Sequence, residues 1–285
     1  MQPSEFVLQW GAPGRGEGQL FGPVGLAVET GGNVYVSDTF NHRIQEFTSE
    51  GAFLRAWGQV GSSPGEFLGP VGVAVDGSGR VYVVDAGNRR IQSFSAGGEF
   101  LAACAVGVAL AGAPRQLYGI AVGPDGRIYV SDQNQDRILV FGRERELQAE
   151  WGQAGTAAGQ FRLPHGLAVD AAGNLYVADR DNDRIQKFAA SGAFLAQWGA
   201  TGGAHGQFRD PRGIAVDGCG RVFVTDFSAH RIQIFDGTGR FLGSWGSEGA
   251  GRGQFVNPAG IACDTSSHVY VADLRNHRIQ KFRIE

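Results

Sequence analysis

Short apolar runs and short polar breaks alternate along the whole chain. Gly25-Leu26-Ala27-Val28 is followed by Val34-Tyr35-Val36, then Arg43-Ile44-Gln45-Glu46-Phe47, then Phe53-Leu54-Arg55-Ala56-Trp57. The runs are rich in Val, Ile, Tyr and Phe, and Gly, Asn, Asp and Ser part them, which reads as strands joined by turns. No apolar period of a helix is sustained, and 46 glycines among 285 residues argue against long helices. The pattern predicts a unit of four strands, a to d. Consecutive residues of the second run are apolar, so both faces of strand b are covered. The fourth run contains a charge, as an edge that meets water does.

The unit recurs. Gly-x-Ala or its close variant starts at Gly25, Gly72, Gly119, Gly166, Gly213 and Gly260, a step of 47 residues each time. Each copy adds an Asp closing strand b (Asp38 to Asp273) and an Arg-Ile opening strand c (Arg43 to Arg278). A unit this small cannot bury its faces alone and must stack on its neighbours. The sixth copy stops at strand c, and the missing strand d is at the other terminus, where Phe6-Val7-Leu8-Gln9-Trp10-Gly11 matches Phe53 to Gly58. The prediction is an all-β, six-bladed β-propeller with four antiparallel strands per blade. It is one domain over 1–285, with blades starting near 24, 71, 118, 165, 212 and 259 and strand d of blade six at 6–11. Pairing of the N-terminal strand into the last blade closes the ring and leaves no unpaired blade face. Blade three is the irregular one. Phe100 to Ala113 is read as its strand d running into a loop that is apolar over Val106 to Ala111. Cys104 takes a Trp place there, and Leu117 a Pro place.

Six copies of one Asp–Arg pair point to a scaffold role rather than catalysis: closing the b–c hairpin by ion pairing or by hydrogen bonds to its turn. Asn41, Asn88, Asn182 and Asn276 suit a turn position of positive φ.

Taken together, Pro-x-Gly-[ILV]-Ala-Val, Asn-x-Tyr-Val-x-Asp, Asn-x-Arg-Ile-Gln-x-Phe and Phe-Leu-x-x-Trp-Gly resemble the NHL repeat. Asn276-His277-Arg278-Ile279-Gln280-Lys281-Phe282 shows the third string well. The resemblance spans 6–283 and implies a propeller of broad function. Similar proteins include RNA- and protein-binding propellers at the end of tripartite-motif ubiquitin ligases, bacterial sensor domains and the peptidyl-hydroxyglycine lyase of peptide amidation. A ligase role would need a RING domain, and no cysteine–histidine array for one is visible.

Net charge is −3, so there is no global pull toward nucleic acid or acidic lipid. The three cysteines have no CxxC spacing and fit free thiols. No signal peptide or membrane-spanning helix is visible, so a cytoplasmic monomer without membrane or DNA partners is the expectation.

In such a ring the d–a and b–c loops share one face, here the upper face. The a–b and c–d turns share the other, are short and monotonous, and read as plain turn chemistry. Sites belong on the variable loops and at the central hole between them. The residue before each strand-a Gly holds one equivalent place at the channel mouth: Val24, Val71, Tyr118, His165, Arg212 and Ala259. Together with the b–c residues Phe40, Phe227 and Leu274, the apolar members form a crescent for burial. Tyr118, His165, Arg212 and Arg180 form a polar arc for orientation. His42, His165, His205, His230 and His277 fall on the upper face and His268 on the lower. Repeat slots on neighbouring blades lie too far apart to share one ion, so neither a metal site nor a cofactor is expected.

These readings point to a non-catalytic scaffold binding protein or peptide through the upper face. RNA binding there is the alternative, since Arg15, Arg115, Arg162, Arg209, Arg212 and Arg252 line the d–a loops beside Glu17, Glu66, Asp210 and Glu248. A lyase- or hydrolase-type enzyme in the channel is the third reading. It would need convergent carboxylates or imidazoles, and the inner ring supplies only Tyr118, His165 and Arg212.

Overall fold

The structure is a computed structural model that describes residues 4–106 and 116–285. Six four-stranded antiparallel sheets form the blades, each running a, b, c, d outward from the axis. Blade one is Pro23–Val28, Val34–Asp38, Arg43–Phe47 and Phe53–Trp57, and the others repeat it. Blade six takes Pro258–Cys263, His268–Asp273 and Arg278–Ile284 from the C-terminus and Ser4–Trp10 from the N-terminus. Phe6 pairs with Phe282 and Trp10 with Ile279, so the ring is closed as the repeat predicts. Trp10 then lies against Tyr270 of its own blade and Phe47 of blade one, at centroid distances of 6.1 and 5.8 Å. Closure thus joins two blades as well as completing one sheet.

The core lies between blades. One cluster takes Leu26, Val34, Val36 and Phe47 from blade one and Ala262, Tyr270, Ala272 and Ile279 from blade six. Leu20, Phe67, Phe161, Phe208 and Phe255, from the d–a loops, are fully buried as plugs over these seams. Burying each plug contributes about 1.5–3 kcal/mol. They recur on the 47-residue step, with Pro114 at the one remaining place, and were legible there. At the axis the strand-a glycines decide the spacing. A Cβ on Gly25 would sit 2.1 Å from the Val71 carbonyl oxygen, and on Gly166 2.2 Å from that of Arg212. The same clash with the next blade meets the other four. Glycine recurs there because neighbouring backbones touch.

Two expectations need correction. Phe100–Ala105 pairs with Arg90–Phe94 and is the outer strand of blade two, not three. The N-terminal strand takes the first strand-d segment along the chain, so every later one belongs one blade earlier than a plain count gives. The irregularities therefore divide between blade two (Cys104) and blade three (Leu117), and most of the apolar loop, 107–111, lies outside the described residues. Second, Asn41, Asn88, Asn182 and Asn276 do not carry positive φ. The next residue does: His42 at 56°, Arg89 at 53°, Asp183 at 50° and His277 at 54°. Asn41, Asn182 and Asn276 end one-turn 3₁₀ helices, Thr39–Asn41, Arg180–Asn182 and Leu274–Asn276. No helix of the described residues is long and apolar enough to cross a membrane.

Candidate functional site on the upper face

The recurrent Asp and Arg build the platform of this face. Asp179 Oδ1 accepts the backbone N–H of Arg162, in the d–a loop, at 2.8 Å. Its Oδ2 accepts from Asn182, Arg184 and Gln186 at 2.9, 2.7 and 3.0 Å. The far end of Arg184 donates to the carbonyls of Thr156, Ala157 and Gln160. One buried carboxylate thereby ties strand b, strand c and the d–a loop together. Asp38, Asp85, Asp226 and Asp273 do the same around Phe21, Leu68, Arg209 and Val256. The expected hairpin lock is present and also holds the loop above it. In blade three Leu139 replaces the glutamine, and Arg137 Nε stands 3.7 Å from Asp132.

The left-handed residue of five of the six b–c loops reaches the next blade. Nδ1 of His42, His230 and His277 accepts the N–H of Gly69, Asn257 and Gly22 at 3.0, 3.1 and 3.0 Å. Oδ1 of Asp136 and Asp183 does so for Leu163 and Asp210, at 2.7 and 3.0 Å. Three of the five upper-face histidines are thus inter-blade acceptors, and His205 packs tilted against Phe241 at 4.7 Å.

His165 is different. It is 4% exposed and lies at the mouth with its ring 3.7 Å from that of Tyr118. Burial first, then the guanidiniums of Arg212 and Arg180, push its pKa well below the ordinary histidine range, so it is neutral near pH 7. Burial raises the Tyr118 hydroxyl. Arg212 Cζ lies over the Phe227 ring, 3.3 Å from its centroid, and the guanidinium is clamped by Asp210 through Nε (3.0 Å) and Nη2 (2.7 Å). Arg180 Nε donates to the same Asp210 Oδ1 at 2.8 Å.

Val24, Val71, Tyr118, His165, Arg212 and Ala259 do converge on the channel mouth. The channel itself is narrow: its free volume is about 60 Å³, space for a few waters. The apolar crescent is not continuous. Val24 and Val71 are buried, Leu274 packs against their cluster, and Phe227 lies under Arg212. Phe40 stays 55% exposed and packs edge-on against Phe21, 5.7 Å away. Sequence reasoning passed over Phe21. It begins a third register, the d–a loop residue held by the strand-b carboxylate: Phe21, Leu68, Arg162, Arg209 and Val256. The 47-residue step was the signal for it. The equivalent Arg115 lies outside the described residues. Among the described residues no group of three or more His, Cys, Asp or Glu is placed to hold a metal ion.

Residues 161–188, 208–235 and 255–282 match the model described as NHL repeat, and residues 17–111 match one described as a 6-bladed beta-propeller. No curated protein matches the chain. Several solved structures share the fold. Virginiamycin B lyase from Staphylococcus aureus is 15% identical with a TM-score of 0.67, over 99% of this chain and 100% of that one. A gluconolactonase from Xanthomonas campestris is 16% identical with a TM-score of 0.69, over 94% and 88%. An auxiliary nutrient binding protein from Bacteroides thetaiotaomicron is 14% identical with a TM-score of 0.68, over 92% and 69%.

Proposed function

From the premise that this chain is an NHL-repeat six-bladed β-propeller, we propose that it is a non-catalytic binding propeller that takes a protein or peptide on its upper face. One observation carries this reading. A rigid, repeated hydrogen-bond platform holds loops whose outward residues do not repeat, above a channel with about 60 Å³ of free space. A small-molecule site spans roughly 300 Å³ or more, so a ligand of ordinary size meets the loops rather than the channel. The lyase and the gluconolactonase share the architecture at 15–16% identity, which speaks for the scaffold alone. Exposed Phe21, Phe40 and Leu68 supply the apolar area that contact surfaces use.

Crosslinking capture tests the reading. The wild type is compared with Phe21→Ala/Phe40→Ala on the upper face and with Leu195→Ser on an outer strand. Partners lost with the first variant and kept with the second are expected. An identical captured set from all three would overturn it.

A further inference from the structure

Two registers of the upper face divide at the same blades. At the carboxylate-held loop position, Phe21, Leu68 and Val256 belong to blades one, two and six, and Arg162 and Arg209 to blades four and five. At the mouth, Val24, Val71 and Ala259 face Tyr118, His165 and Arg212 across the same line. The loop N–H groups are all held at 2.6–2.8 Å by equivalent carboxylates. The side chains therefore leave the ring at matching places, and the division is a property of the surface.

The polar half is prepared for an anion. Arg212 is stacked on Phe227 and clamped by Asp210 through Nε and Nη2, which leaves Nη1 for a ligand. A guanidinium oriented in this way loses little freedom on binding a carboxylate. Asp210 is one carboxylate between two guanidiniums, and Asp181, 3.6 Å from Arg180, is the other acid there. Asp136 and Asp183 are turned to backbone N–H groups of the next blade. Arg162 and Arg209 are exposed and have no ion pair among the described residues. Burial is the main cause of the depressed His165 pKa, and Arg212 and Arg180 add to it.

Resting on the binding reading above, we propose that the partner is an acidic–apolar peptide segment. A Leu, Ile or Phe side chain of the partner covers Phe21, Phe40 and Leu68, and an Asp, Glu or terminal carboxylate reaches Arg212 across the mouth. A phosphate chain fits less well. Nucleic-acid affinity sums over several phosphates, and Asp136, Asp181, Asp183 and Asp210 stand between the arginines that would have to meet them. A single carboxylate needs one guanidinium, and the apolar half has no use for a charged backbone.

The test is a selection of random displayed peptides on the full chain at physiological salt. Winners are synthesised and measured by fluorescence anisotropy against wild type and Arg212→Gln, with melting curves for both. Winners are expected to pair an acid with a large apolar residue. Changing that acid to its amide should weaken binding about tenfold on wild type, the worth of one charge-assisted hydrogen bond, and hardly at all on Arg212→Gln. Should Arg212→Gln melt early, exposed Arg209→Gln takes its place, with a loss of a few-fold expected. Winners without acids, or an amide penalty equal on wild type and variant, would overturn the acidic–apolar assignment and leave the binding reading standing. A selection that enriches nothing over a Phe40→Asp variant would remove the binding reading itself. Displacement of a winner by single-stranded RNA, with affinity falling steeply as salt rises, would overturn the peptide in favour of nucleic acid.

Discussion

Asp170 and Asp179 sit at the two ends of one blade and do opposite jobs. On the lower face Asp170 accepts the N–H groups of Ala172 and Asn174 and the hydroxyl of Tyr176, all within its own turn and hairpin. On the upper face Asp179 accepts from Arg162, Asn182, Arg184 and Gln186, reaching a loop well before it in the chain. The lower turns are short and bonded largely within themselves, with side chains such as Arg127 and Lys187 adding a contact to the next blade's turn. The upper d–a loops are satisfied from the strands beneath, which leaves side chains such as Phe21, Arg162 and Arg209 outside the lock that holds their own N–H groups. Variation collects where the platform frees the side chains, and the binding reading proposed above puts recognition there.

The largest expected effect tests that contrast directly. Asp179→Ala leaves Arg184 buried without its partner and releases the d–a loop, which should cost about 3–5 kcal/mol in urea denaturation. Asp170→Ala loses turn bonds that water can reach and should cost about 1–3 kcal/mol. Equal costs would erase the distinction between the faces. Next comes the axis against the lower rim. Gly166→Ala drives a Cβ into the Arg212 carbonyl and should cost about 1–3 kcal/mol. Gly77→Ala meets open space in a lower turn and should stay within about 0.5 kcal/mol of wild type. A costly Gly77→Ala, or a silent Gly166→Ala, would mean that the blades are not held at backbone contact.

The smallest expected effect is one of pH. His165 is buried uncharged, and its folded pKa is lower than its unfolded one. The unfolded chain therefore takes up a proton that the folded chain refuses. The contribution of this site is complete above about pH 6.5, the unfolded value, and falls as the pH is lowered. Melting temperature measured across that window should drop for wild type and drop less for His165→Gln. An equal slope in both would show that the mouth is open enough to accept the charge.

Much of this was legible in the chain. The 47-residue step, the strand pattern and the stray first strand together imply the closed ring, because each is a consequence of blade packing repeated six times. The Asp–Arg lock was legible for the same reason. What hid was anything set by geometry between units. Asn41 looked like the left-handed residue because Asn adopts that conformation readily. Its amide instead donates to Asp38 and the Gly14 carbonyl, and the left-handed place passes to His42, whose ring reaches the next blade. The strand-a glycine was legible as the mark of the repeat, but not as a contact between neighbouring backbones. At the mouth, the register put Arg212 and Phe227 on opposite sides of an apolar–polar divide. In space the guanidinium covers the ring, a pairing that two different repeat positions on one blade do not announce.

Amide hydrogen exchange with a selected peptide bound is the most direct measurement of the central claim, that recognition sits on the upper loops. Slowed exchange is expected over 20–24, 39–42, 162–166 and 209–213, with the lower turns at 76–79 and 170–174 unchanged. Slowing confined to the lower turns or to the outer strands would contradict it.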